Sequence, residues 1–189
     1  MKNPRAFTLV ETLVAIAVLT ISITIPFISA EKALLASYQA RDQLVASSLA
    51  QEGVEFIRSV RDSNAIAIYY GASRTWLAGF DGTQGPYATY ANCTAAGAFC
   101  AVDASYPSII SCSGMACSNH PVDVDSNGWY NQTGHISGGG YVTQFFRAVQ
   151  FTNVNAHEEK VTVTVTWTTA HVAHTVQVVD YLDNWETNS

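Results

Sequence analysis

Apolar positions fall into three patterns along the chain. From Ala6 to Ala30, 17 of 25 residues are apolar and Glu11 is the sole charge, so a charge-free run of 19 residues extends from Thr12 to Ala30. A run of that length and character is enough for a helix to cross a bilayer. From Glu31 to Arg61 the apolar residues Leu34, Tyr38, Val45, Leu49, Phe56 and Val60 recur at spacings of four and seven, which puts them on one helical face. Together the two stretches predict a single helix over 7–61. Pro26 removes a backbone donor within it and is expected to kink it, and Gly53 costs about 1 kcal/mol relative to Ala. A soluble coiled coil is the competing account of 31–61. Its heptad breaks at Asp42 and Glu52, so packing of this section on the chain's own sheet is the better expectation.

Past Arg61 the period shifts to two. Only Leu77 and Leu182 remain of nine leucines, and Val and Thr take over, a change from helix to strand vocabulary. Val161, Val163, Val165 and Trp167 alternate with Thr162, Thr164, Thr166 and Thr168, predicting a half-buried strand over 160–168. The segment 174–181 is expected to return beside it, and 141–152 to form a third strand with Phe145, Arg147, Val149 and Phe151 on one face. A fourth is expected within 127–135, and Tyr181, Leu182 and Trp185 are expected to fold back onto the domain edge. Between helix and sheet, 62–121 is too long for a bare connection and reads as a structured insertion. The fold class is therefore α+β, with a long N-terminal helix, membrane-spanning in its first half, packed on an antiparallel sheet that carries this insertion.

Charge sharpens the division. The whole chain has nine Lys and Arg against fifteen Asp and Glu. Beyond Arg61 three cations face ten acids, a net of −7. So few cations make nucleic acid an unexpected partner. With 48% hydrophobic residues, the composition is also not that of a disordered chain.

The acid at position 11 needs its own account. A secretory signal peptide would explain the basic start at Lys2 and Arg5 and the apolar run, but Ile28 is bulky where a cut site needs a small residue. A plain signal anchor explains the orientation, with Lys2 and Arg5 held in the cytoplasm, but leaves Glu11 without a reason. A carboxylate in a spanning helix costs about 2.5–3.5 kcal/mol near the bilayer centre and less toward an end, so it marks a function with a partner to be found.

The run Lys2-Asn3-Pro4-Arg5-Ala6, followed by Phe7-Thr8-Leu9-Val10-Glu11 and the apolar stretch to about Pro26, resembles the processing signature of type IV prepilins and pseudopilins. The resemblance implies a leader at 1–6, a filament-core helix at 7–30, its amphipathic continuation at 31–61 and a β-rich head at 62–189. It implies a prepilin peptidase that cuts between Ala6 and Phe7 and methylates the new Phe7 amine. The family usually has Gly where this chain has Ala6. It further implies that Glu11 pairs with the Phe7 amine of a neighbouring subunit, an attraction of about 4 kcal/mol at 4 Å and an effective dielectric near 20. The expected partners are other pilin subunits, the peptidase and the cytoplasmic membrane. The head is expected outside the cell, first anchored by one span and then on a filament, and the long cysteine-bearing insertion suggests a minor subunit. The rival from another class is a single-pass anchored binding domain that never polymerises.

Candidate chemistry in the head is sparse. Cys93, Cys100, Cys112 and Cys117 fall within 25 residues, an even and clustered set that reads as two disulfides in an exported chain. Three connectivities are open, the local pairs being preferred. A zinc tetrathiolate is the alternative, but neither spacing gives a tight knuckle. Asp123, Asp125 and Asn127 with Gly128 match the first half of a calcium loop, although Gly134 stands where the bidentate acid belongs. An Asp/Asn/Gly turn opening a hairpin accounts for the same residues. No cofactor is expected beyond the calcium that this pattern admits. No nucleophile–base motif, metalloprotease motif or phosphate loop occurs, and no enzymatic role is expected.

Overall fold

The computed structural model describes residues 8–88, 91–112, 114, 117–136 and 138–184. The elements are one helix, α1 (Leu9–Tyr69), a 3-10 turn (Pro86–Ala88), and seven strands: β1 (Phe99–Asp103), β2 (Ser108–Cys112), β3 (Pro121–Val124), β4 (Tyr130–Asn131), β5 (Tyr141–Asn155), β6 (Glu158–Thr169) and β7 (Val172–Asp183). The chain divides into two units, Met1–Asp42 and Gln43–Ser189.

In the first unit every described residue up to Arg41 is exposed. The helix continues through Pro26 as one element. Its hydroxyls are satisfied locally: Thr12 donates to the Leu9 carbonyl at 2.9 Å, Thr20 to Ala17 at 2.8 Å, Ser22 to Val18 at 2.8 Å and Thr24 to Thr20 at 2.7 Å. Such bonds let polar side chains sit on an apolar helix without exposing unpaired groups to lipid. The expected face over 31–61 divides in two. Leu49, Phe56 and Val60 are buried, whereas Leu34 and Tyr38 remain 60% and 56% exposed.

The helix ends eight residues later than the sequence pattern predicts. Asn64, which looks like a surface residue, is fully buried because its amide donates to the Trp76 and Ala78 carbonyls at 3.2 and 2.9 Å. Gly71, at φ 90°, then ends the helix, with the Gly71 N–H on the Ile68 carbonyl and the Ala72 N–H on that of Ala67. This is the paired C-terminal bond pattern that favours glycine in the left-handed region.

The second unit is built on β5. Along one edge β5 pairs with β6 and, through it, β7. Its other edge takes β3 near Val142 and Phe146 and β1 at Val149, with β4 and β2 outside them. All pairings are antiparallel. The strand readings over 141–152, 160–168 and 174–181 hold with longer bounds, and the β6–β7 turn sets Ala170 and His171 at positive φ. The strand expected within 127–135 shrinks to β4, two residues. The insertion contributes β1 and β2, two strands that its Ala- and Ser-rich composition hid. Leu182 is buried but Tyr181 is half exposed, and Trp185 lies outside the described residues.

The core forms where α1 meets the sheet. Phe145, Val149 and Phe151 of β5 and Val161, Val163 and Val165 of β6 close on Leu49, Val54, Ile57 and Val60. Each such buried side chain contributes about 1.5–3 kcal/mol relative to exposure. Gly53 eases this close contact: a Cβ there would lie 3.1 Å from Val163 Cγ1 and 3.4 Å from Arg147 Cδ. A smaller cluster of Ala101, Ala148 and Cys117 forms apart from it.

Arg147 shares the core face of β5 and is 2% exposed. Its Nη1 donates to the Leu49 carbonyl at 2.9 Å and to Glu52 Oε2 at 3.0 Å, Nη2 donates to the Val102 carbonyl at 2.6 Å, and Nε to Gln132 Oε1 at 3.1 Å. One guanidinium therefore joins α1, β1 and the segment after β4. Further along the same helix Arg58 grips both Asp180 oxygens on β7 at 2.8 Å. Replacing Arg147 by Met strands three buried acceptors and leaves the part-buried Glu52 without its cation, a loss of about 3 kcal/mol or more. Denaturant unfolding of R147M is therefore expected to show a lower midpoint at unchanged slope; a wild-type midpoint would show that the network contributes nothing net.

Candidate functional site

The N-terminal site starts from the helix end. Thr8 precedes α1, its Oγ1 accepts from the Glu11 N–H at 3.3 Å, and its carbonyl takes the Glu11 and Thr12 N–H groups at 3.1 and 3.2 Å. Thr8 is thus the cap, and Glu11 sits three residues on, where a carboxylate also favours the positive end of the helix dipole. Thr-x-x-Glu is the spacing of a capping box, a signal that the sequence carries at Thr8 and Glu11. Among the described residues the Glu11 carboxylate meets no cation. Ala6 and Phe7, the expected processing residues, lie outside the described residues. The first unit therefore presents an ordered, capped, apolar helix, long and apolar enough to cross a membrane.

In the head, all four cysteines are oxidised: Cys93 is joined to Cys100 and Cys112 to Cys117. The first bridge is fully buried and fastens the segment after the 3-10 turn to β1. The second closes a six-residue loop at the end of β2.

Asp125 and Asn127 meet at the β3–β4 hairpin, while Asp123 lies on β3 with no bond to either. Asp125 Oδ1 accepts from the Asn127 and Trp129 N–H groups at 2.8 and 2.9 Å, and Oδ2 from the Tyr106 hydroxyl at 3.1 Å. The Trp129 N–H above all holds its carboxyl below the usual range, against the opposing effect of burial. Gly128 provides the bend at φ 86°. Asp123, on β3, is 4% exposed, and its Oδ1 is buried without a hydrogen bond. Burial pushes that carboxyl up. Among the described residues no group of three or more His, Cys, Asp or Glu is placed to hold a metal.

The sequence reading missed Asp103, which is 1% exposed. Its Oδ1 takes the Ser105 and Tyr106 N–H groups at 3.0 and 2.9 Å, and Oδ2 takes the Gln132 N–H at 2.8 Å and the Thr133 hydroxyl at 2.7 Å. In sequence it stands before Ala-Ser-Tyr-Pro and looks like a surface turn. The four donors that make it internal come partly from residues about thirty positions away.

The two hairpin carboxylates predict opposite pH behaviour. Asp125 has a folded-state pKa below its unfolded value, so its contribution is present above the unfolded value and is lost as pH falls through the folded one. Asp123 has a raised folded-state pKa, so ionising it opposes folding, and stability falls as pH rises through the window between the two values. At pH 7, D125N should lower the thermal midpoint and D123N should raise it, with both differences shrinking in acid. A calcium ion held by Asp123, Asp125 and Asn127 would reverse the D123N result in calcium-containing buffer.

Neither the curated proteins nor the solved structures contain a match to this chain. A family model does match: residues 1–25 fit the prokaryotic N-terminal methylation motif. The segment that caps α1, contains Glu11 and enters the apolar run is therefore a type IV pilin-like prepilin signature.

Proposed function

We propose that this chain is a structural, non-enzymatic subunit of a type IV pilus or type II secretion pseudopilus. It is cut between Ala6 and Phe7, methylated on Phe7 and built into a filament through α1. The observation that supports this most is the methylation motif leading into a helix whose apolar surface is exposed from Leu9 to Phe27, a stretch whose one acid, Glu11, meets no cation among the described residues. A membrane anchor needs the apolar surface but not the acid. Assembly uses both: the helices leave the bilayer and repack on one another, and Glu11 sets register on the neighbour's Phe7 amine. The head, with net charge −7 beyond Arg61 and two disulfides, fits an extracytoplasmic position. The β1–β2 insertion favours a minor subunit.

Replacing Glu11 by Ala should leave membrane insertion unchanged, since it removes an insertion cost. Recovery in sheared filaments should fall by at least about tenfold, the equivalent of ~1.4 kcal/mol out of the ~4 kcal/mol pair attraction. Incorporation of E11A at the wild-type level would remove the role assigned to this acid.

A further inference from the structure

Two exposed apolar surfaces fit neither a membrane anchor nor the head's own core. The first is on α1 just past the charge-free run, where Glu31, Lys32, Arg41 and Asp42 mark a segment outside lipid. Leu34, Leu35 and Tyr38 there are 60%, 46% and 56% exposed. Leu34, Tyr38 and Arg41 are four and three residues apart, so they form one stripe with a cation at its C-terminal end.

The second surface is a groove of about 410 Å³ in the head, between Leu44, Val45 and Ser48 of α1 and Gly128, Trp129 and Tyr130 at the β3–β4 hairpin. Leu44 is 70% and Trp129 65% exposed, so its rim is apolar and open. Glu52 lines it, and with Trp129 also lines a second groove of about 470 Å³ that reaches Asp125. The Glu52 side chain is one-third exposed, and only its Oε2 is held by Arg147. The groove is therefore a largely apolar slot with one carboxylate, Glu52, in its lining.

We propose that the Leu34–Tyr38–Arg41 stripe of one copy of this chain lies in the Leu44–Trp129 groove of the next copy, with Arg41 meeting Glu52. This rests on the assembly reading above. Three features select a second copy as the occupant. Every copy carries both surfaces. Their chemistry is complementary, apolar to apolar and cation to carboxylate, whereas two acidic heads set face to face would repel. And the two surfaces differ, so the contact is heterologous: it propagates from copy to copy instead of closing as a two-fold dimer. An apolar patch open in the single chain is then covered in the polymer.

The test uses full-length chains in cells that assemble them. One chain carries Y38C and a second, with a different tag, carries S48C; the four native cysteines are already paired. After oxidation, sheared filaments should contain a product linked between Tyr38 and Ser48 positions and carrying both tags. Adding W129A to the S48C chain should cut that product about tenfold, since a Trp covered at an interface is among the residues whose loss costs most. Filaments that lack the mixed product, or that link Tyr38 positions to each other instead, overturn the groove contact while leaving assembly standing. A product indifferent to W129A also overturns it. If the wild-type chain yields no filament, the assembly reading fails and this contact fails with it.

Discussion

Charge taken out of water has to be given partners, and this constraint governs both halves of the chain. In the head the charge is Arg147. Its place in the alternation of β5 puts it on the same face as Phe145, Val149 and Phe151, so it must enter the core if β5 pairs as it does. Leu49, Glu52, Val102 and Gln132 supply four acceptors drawn from three separate parts of the chain. Gln132 in turn donates to the Arg147 and His120 carbonyls at 2.6 and 3.0 Å, and its N–H is held by Asp103. The buried polar groups thus specify how helix, β1 and the β3–β4 hairpin sit on β5. The valines of β6 alone would fix only that something apolar covers them. Gly53 is part of the same arrangement, since the helix must come close for Arg147 to reach the Leu49 carbonyl.

In the N-terminal unit the charge is Glu11, and there the chain offers less. The hydroxyls of Thr12, Thr20, Ser22 and Thr24 turn to their own backbone, which removes their cost in an apolar setting. Thr8 uses the Glu11 N–H for its cap and so fixes where the helix starts, but a cap does not neutralise a carboxylate. A partner for that charge has to come from outside the described chain. On the proposed reading that partner is the cationic amine that a cut between Ala6 and Phe7 would create on a neighbouring copy. The head satisfies its buried cation internally; the helix carries an anion whose partner, on the reading proposed here, is another copy.

Sequence patterns revealed what is periodic and concealed what is tertiary. The long helix, the β5–β6–β7 meander and the apolar face of β5 were legible because four- and seven-residue spacings and strict alternation run uninterrupted there. The last turns of α1 were not, because Asn64 reads as polar until the Trp76 and Ala78 carbonyls bury it. β1 and β2 were missed for a related reason: five residues each, they are strands because they pair with each other and with Val149, not because of their own propensity. At the candidate site, Glu11 stood out because a lone acid in an apolar run has a cost, whereas Asp103 lay among polar neighbours and gave no such contrast. The Asp123–Asn127 motif was legible as a pattern, but the pattern could not say that Asp125 is already occupied by two N–H groups and a hydroxyl.

On the proposed reading this helix is an assembly device exposed by processing, and not merely an anchor. Intact-mass measurement of the chain extracted from membranes decides between the two. Processing for assembly gives a mass lacking Met1–Ala6 and carrying one methyl group on Phe7. A chain that retains Met1–Ala6 with Phe7 unmethylated is an anchor and not a processed subunit.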